Sequence, residues 1–476
     1  MDKEQPVLKV AANIALAAMV VLLIGAAYCF RLRLFGDTSF IAFNIINKRT
    51  LTIQEHRYGS FITQLVPCLG AKLHLPIKAI LFSYTISFNV FYCIAAYLLI
   101  RCRQYGLTVL MALFYFLFVT SSFYWPVNEI NQAVAWMFLF FGVTFYLAEK
   151  QVNFVMLVVP FSILAFLTFF THFVVIIPTT FLWVYFWLEN KKWPFSKKRS
   201  FILTALLAGV IVLKYLFVAT KSYDSDAIHK VTHFSIKDIA QSFYTPVIYM
   251  FLYRCIILYW PAIIVFFLGY RSLVKSKQKL PAAWMLISLV GYYIIIGLTY
   301  GHLDRNFLLF HIESEWTCIG IIIAAPFVFT YLPSIKPASA VWMLAALFVI
   351  RVGYIAYASD KFVVRNQYQE KILSQMRKEH ITKAAFYTNP EIREKYMLEW
   401  TSGYESIFSS AMKKEDPQLF FCFVNKDDNT VLNTIRTQKR YWNAYVMMEP
   451  KDINNEYFKI DTVQEYKIMD INDFLK

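Results

Sequence analysis

At 476 residues, 58% of them hydrophobic and only 16% charged, the chain has too few polar groups to cover a water-facing surface, which excludes a soluble globular protein. Its formal net charge of +16 would point to nucleic acid in a soluble chain. Here much of the excess lies between apolar runs of about 20 residues, where Lys and Arg mark cytoplasmic loops, so no nucleic-acid partner is expected.

Taken in chain order, the apolar runs predict a mainly α, polytopic transmembrane bundle of about eleven spans. They start near Val7, Pro76, Gly106, Asn131, Asn153, Phe173, Phe201, Pro246, Pro281, Glu315 and Ala338. The first run is long for a signal peptide, and GAAYCF is a poor cleavage site, so it reads as an uncleaved span. The fifth and sixth form one stretch broken near FFTHF, which predicts two short helices meeting at a turn. Arg101, Arg103, Lys150, the 190–199 and 271–279 loops and Lys336 share one side if the N-terminus is cytoplasmic. An odd span count then places the 31–75 and 221–245 loops and everything after 357 outside. The expected setting is a bacterial cell membrane. The seven cysteines are scattered, five of them (Cys29, Cys93, Cys102, Cys255, Cys318) in or beside apolar runs, and their spacing fits neither a zinc site nor a disulfide framework.

Two domains are expected: a membrane part over 1–357 and an extracytoplasmic α/β domain over 358–476. The second opens with a helix, DKFVVRNQYQEKILSQMRKEH, in which Phe362, Val363, Tyr368, Ile372 and Met376 keep helical spacing. NPEIREKYMLEW and GYESIFSSAMKK read as further helices, QLFFCFV and YWNAYVMM as strands.

An ionisable side chain inside a span costs a few kcal/mol, so each needs a partner or a purpose. Lys214, Arg254 and Arg351 fall in the outer halves of their runs, and Arg305 adds a cation on an outer loop. Singly each can snorkel to the interface; together they predict a cationic pocket at the outer leaflet. The acids on that side are Asp37, Glu55, Glu129, Asp224, Asp226, Asp304, Glu313 and Glu315. Asp37 and Glu55 flank TSFIAFNIINKR, an amphipathic stretch expected to lie along the membrane surface. Glu129 is confined in the short loop YWPVNEINQ. Tyr58, Phe61, Phe123, Tyr124, Trp125 and Trp316 crowd the same face, either as an interfacial belt or as platforms for sugar rings.

Those residue types suit glycosyl transfer from a polyprenyl-phosphate sugar. A carboxylate takes the acceptor hydroxyl proton, and cations hold the departing phosphate. The lipid tail stays in the bilayer.

A first span followed by a long external loop with an early acid, LFGDTSF, and an amphipathic helix resembles the GT-C superfamily of membrane glycosyltransferases. The resemblance implies that Asp37 is the catalytic base and that Glu129 supports it; Glu55 is the other candidate to assist. It also implies a polyprenyl-linked donor and parallels the C-terminal external domain. NEINQAVAWMFLFFGVTFYLAEKQ with FLTFFTHFVVIIPTTFLW is similar to the EpsG-like exopolysaccharide polymerases, which implies that Gln132 and His172 line the pocket. Asn131 stands where those polymerases carry an arginine, and they usually lack the external tail. Together the resemblances cover roughly the first 190 residues, as pattern and not as identity.

Other motifs carry less. Asp224 and Asp226 have the DxD spacing that holds Mg or Mn in many glycosyltransferases; a chance pair in a solvated loop is the plainer alternative. HKVTH has zinc spacing but lacks the Glu of the protease motif. GHLDRNFLLFHIESEW gathers His302, Asp304, Arg305, His311, Glu313 and Glu315 before a span. No nucleotide-binding glycine motif or nucleophile elbow is present in the sequence.

The expectation is therefore a membrane glycosyltransferase that passes sugar to a glycan or lipid acceptor with inversion. Asp37 is its base, assisted by Glu129 or Glu55. Arg57, Lys214, Arg254, Arg305 and Arg351 hold the phosphate, and His172, Gln132 and His302 line the pocket. The alternatives are a repeat-unit polymerase, a lipid-linked glycan flippase, and a non-catalytic scaffold.

Overall fold

The computed structural model describes residues 5–127, 129–189, 193–219, 225–300, 309–437, 441–443 and 446–476. Helix α1 (Gln5–Tyr28) leads through a tight turn into α2 (Asp37–Lys48) and α3 (Phe61–Lys72), and α4 (Ile77–Arg101) returns beside α1. Next come α5 (Tyr105–Phe118), α6 (Glu129–Glu149), α7 (Phe154–Phe169), α8 (Ile176–Leu188) and α9 (Lys197–Ala219). The bundle closes with α10 (Ser225–Thr232), α11 (Ile236–Ser242), α12 (Pro246–Ile257), α13 (Trp260–Lys275), α14 (Lys279–Tyr300), α15 (Leu309–Trp316), α16 (Ile319–Pro326) and α17 (Pro337–Lys378).

By length and composition, six of these (α1, α4, α6, α9, α14 and α17) suffice to cross a membrane. Two bent pairs, Ile236–Ile257 with Trp260–Lys275 and Phe310–Trp316 with Ile319–Ser334, raise the number to eight if each pair is one span. Every expected run is helical, yet α5, α7 and α8 have only 14, 16 and 13 residues. At about 1.5 Å per residue each falls short of a hydrocarbon core of about 30 Å. The break at FFTHF is the expected turn, a 3-10 segment over Phe173–Val175.

Packing explains the composition. Helix α5 is apolar all round because it is buried all round, from Gly106 to Phe118. Peripheral helices instead turn large apolar side chains outward, among them Phe201, Val212 and Leu216 on α9 and Ile287 and Val290 on α14.

Helix α17 runs without interruption for 42 residues, about 63 Å, twice a hydrocarbon core. The expected division at 357/358 therefore falls inside one helix, and the helix expected over 360–380 is the continuation of the last span. Trp342, Val349 and Tyr357 are exposed on its first half, while Phe362, Arg365, Gln369, Ile372 and Met376 are buried on its second.

Beyond α17 lies a parallel sheet in the order β2 (Phe420–Val424), β1 (Lys383–Tyr387), β5 (Lys467–Met469), with a hairpin of β3 (Tyr441–Asn443) and β4 (Val446–Met448). The helices here are α18 (Pro390–Tyr396), α19 (Ser402–Met412), α20 (Asn429–Thr437) and α21 (Ile471–Phe474). Alternation along β2 covers both faces of the sheet. Phe421 and Phe423 meet the end of α17 in one core, with Ile372 and Met376. Phe420 and Cys422 join a second core that contains α2.

That second core shows what covers α2. Its apolar face packs on the C-terminal segment, where Phe43 stacks on Tyr441 and Phe458 and tilts against Tyr404 and Phe408. The 31–75 loop and the C-terminal segment therefore share one face of the bundle.

Candidate active site

Asp37 is the first residue of α2, immediately after Gly36. Gly36 has φ +62°, the left-handed region that glycine enters at least cost. A Cβ there would stand 3.1 Å from Leu398 Cδ1 and 3.2 Å from Trp125 Nε1. The turn is thus wedged between a residue of the C-terminal segment and one of the 119–127 segment.

Asp37 is half-buried, surrounded by protein yet retaining accessible surface. Burial pushes its carboxyl up to about 7, and neighbouring Glu129 adds to the rise. Arg57 and the indole N–H of Trp125 oppose it. The Trp125 N–H faces the carboxyl without reaching good hydrogen-bond geometry. A free helix N-terminus would favour the anion, but desolvation and the second carboxylate prevail.

Glu129 is the first residue of α6 and pairs with Arg57 at 3.0 Å, both side chains mostly buried. Tyr84 of α4, fully buried, lies within electrostatic reach of both carboxylates. Arg57 thus pairs with Glu129 and also acts on Asp37, whose carboxyl is the one raised toward neutrality.

Arg57 sits on a tight loop. Glu55 and His56 both adopt left-handed backbone, φ 47° and 55°, a conformation that costs non-glycine residues energy and recurs at functional sites. Gly59 is pressed against the turn between α7 and α8: its N–H donates to Phe170 O at 3.3 Å, and an added Cβ would overlap Thr171 Oγ1 at 1.8 Å. Trp136 Nε1 donates to Gly59 O at 3.0 Å.

The fully buried Lys214 reaches this loop from α9, with Nζ 3.5 Å from His56 O and 5.1 Å from the centre of the Phe170 ring. Gln132, one turn beyond Glu129, accepts from Thr63 Oγ1 at 3.2 Å. His172 follows Thr171 and caps the 3-10 turn, its Nδ1 accepting from Val174 N at 3.2 Å. Asp37, Glu129 and Arg57 therefore form one cluster, with Glu55 on the loop that carries Arg57, Lys214 against it, Gln132 bonded to Thr63 just beyond it, and His172 next to Thr171, which packs on Gly59.

Other expected site residues lie elsewhere. Arg351 gives four of its five N–H donors to Phe116 O, Val119 O, Leu258 O and Thr120 Oγ1. A guanidinium so occupied is structural, which removes it from the phosphate-holding set. Arg254 is half-buried on α12, and among the described residues no hydrogen bond or ion pair ties its side chain to the cluster. Arg305, His302 and Asp224 lie outside the described residues, as does the side chain of Asp226. Among the described residues, no three His, Cys, Asp or Glu side chains gather to hold a metal ion.

Sequence reasoning missed the residues that fix the Asp37 turn from a distance. Glu405 Oε1 accepts the Gly36 N–H at 3.2 Å and pairs through Oε2 with Arg365. One signal was present: Arg365 interrupts the apolar face of α17 formed by Phe362, Ile372 and Met376.

No protein-family model matches the chain, and neither curated proteins nor solved structures gave a significant match.

Proposed function

We propose that this protein is a GT-C-like integral membrane glycosyltransferase that moves a sugar or oligosaccharide from a polyprenyl (pyro)phosphate to an acceptor hydroxyl. One observation carries the reading: a half-buried carboxyl, Asp37, held near neutrality beside a Glu129–Arg57 pair, shortly after the first apolar helix. In this reading, α5, α7 and α8 complete eleven membrane segments, the N-terminus is cytoplasmic, and the C-terminal segment is an extracytoplasmic α/β domain in a bacterial cell membrane.

Asp37 Oδ takes the proton of the acceptor hydroxyl while its oxygen bonds the anomeric carbon. The bond from that carbon to the donor phosphate oxygen breaks, and its electron pair leaves on the phosphate. Arg57 and Lys214 offset the charge that develops there. One displacement with no sugar–enzyme bond predicts inversion; a retained configuration would contradict it. Gln132, bonded to Thr63, and His172 keep repeat-unit polymerisation as the alternative form of this chemistry. A flippase needs no proton acceptor, and its binding groups belong near the midplane.

The test is complementation by Asp37→Asn, scored on surface glycan with membrane expression checked. Loss of glycan with the protein still in the membrane supports the reading. Unchanged glycan sinks it.

A further inference from the structure

Resting on the reading of Asp37 as the base, we propose that the buried Arg365–Glu405 pair is a positioning device for that base, through which the C-terminal segment fixes the Gly36–Asp37 turn. Arg365 and Glu405 are 1% and 4% exposed, and they come from α17 and α19, more than 300 residues from the turn in sequence. Glu405 Oε1 accepts from both Gly36 N at 3.2 Å and Thr401 Oγ1 at 2.6 Å, and Oε2 faces Arg365. The Arg365 Nε donates to Tyr396 O at 2.8 Å, and its guanidinium lies 4.8 Å from the Phe35 ring centre and 4.1 Å from that of Tyr396. The pair thus holds Phe35 by its ring and Gly36 by its N–H, the two residues directly before Asp37. On the far side of Gly36 stand Leu398 and Trp125, so the turn has little room to relax.

A buried ion pair is a poor source of stability, and apolar residues of similar volume often serve better. A group that aims a reacting carboxylate has a different use, because a displacement of about 1 Å at the reacting atoms costs on the order of 100-fold in rate. Since α17 is one continuous helix from the bundle to Arg365, the carboxylate, the bundle and the C-terminal segment share a single frame.

The experiment needs no substrate for its first arm. Melting temperature is recorded against pH for full-length detergent-solubilised wild type and for Asp37→Asn. Their difference isolates the titration of Asp37, which Glu129, Arg57, Trp125 and Tyr84 surround. The same subtraction is then made in Glu405→Ala, Glu405→Gln and Gly36→Ala backgrounds. The Gln variant keeps an oxygen for the Gly36 N–H, and the Ala change at Gly36 moves the turn without exposing a buried charge. The expected result is a difference that levels off above about 7 in wild type, an upper limit that falls by at least about one unit in Glu405→Ala and Gly36→Ala, because a loosened turn rehydrates the carboxyl. Glu405→Gln should lie between. Surface glycan should fall in the same order, by about 10- to 100-fold. If Glu405→Ala does not fold, Gly36→Ala and Glu405→Gln decide. An unmoved upper limit in folded variants overturns the positioning role, whatever happens to glycan. If instead Asp37→Asn keeps its glycan while the upper limits still shift, the coupling stands and the catalytic reading fails.

Discussion

Two buried clusters in this molecule use the same side-chain types to opposite ends. Around Glu313, the carboxylate accepts from the backbone N–H groups of Thr120, Ser121 and Ser122 at 2.9, 3.1 and 2.7 Å and from Tyr259 Oη at 2.8 Å. Opposite it, Arg351 takes the carbonyls of Phe116 and Val119, where α5 ends. The acid sits at the start of a short turn and the base at the end of a helix, as the helix dipoles favour, and α5 can stop inside the bundle because both loose ends are partnered. Around Asp37, two acids share one guanidinium, and one of them keeps accessible surface and a raised affinity for a proton. A saturated acid has nothing left for a ligand; an acid left short of partners does.

The sharpest way to break this comparison is to neutralise one acid in each cluster. Asp37→Asn should lower transfer by about 100-fold or more, the scale of general base catalysis, and leave the protein as stable as before or more so. Glu313→Ala should do the reverse. It strands Arg351 and three N–H groups, a loss of about 3–5 kcal/mol, visible as a fallen melting temperature or as absent protein. If Glu313→Ala melts like wild type while glycan disappears, the assignment of the two clusters is inverted.

The next prediction concerns pH. Asp37 is raised from an ordinary 3.8 to about 7, so between those values the folded chain binds more protons at this site than the unfolded chain. Stability therefore falls as pH rises through that window, by up to about 4 kcal/mol relative to Asp37→Asn, and is level above it. Transfer runs the other way, rising through about 7 as the carboxylate forms. A wild-type melting curve parallel to that of Asp37→Asn from pH 4 to 8 would rule this out.

A smaller effect is expected from the cations. Arg57→Gln and Lys214→Met should each lower transfer by about 10- to 100-fold. Only Arg57→Gln should also move the pH profile upward, because Arg57 counters the rise at Asp37. Equal shifts in both variants would place Lys214 beside the carboxyl instead of beside the departing phosphate.

How much of this was legible in the sequence follows from the range of each interaction. Asp37 and Glu129 could be found because a carboxylate bordering an apolar run is conspicuous and both sit within a few residues of such a border. The helical runs could be found because hydropathy is local, whereas their sufficiency as spans could not, since helix ends depend on caps such as Arg351 and Glu313, which meet Thr120 from positions beyond 300. The covering of helix α2 was hidden for a related reason. An apolar face of Phe43, Ile45 and Ile46 reads alike whether lipid or protein covers it, and here Phe420, Tyr441 and Phe458 cover it. Arg351 and Lys214 look the same in sequence, and only their partners separate a structural cation from one that reaches the site.

The smallest test is also the cleanest, because it changes one donor in each cluster and nothing of the charge. Trp125→Phe removes an N–H that favours the ionised form of Asp37; Tyr259→Phe removes one of four donors to Glu313. In the saturated cluster the loss should register only as stability, about 1 kcal/mol, since the remaining donors still hold the carboxylate. In the other, the carboxyl has few donors to fall back on, so the pH profile of transfer should move up by about half a unit with little change in melting temperature. A pH shift in Tyr259→Phe, or none in Trp125→Phe, would mean that partner number does not separate the two acids, and that Asp37 is held near neutrality by burial alone.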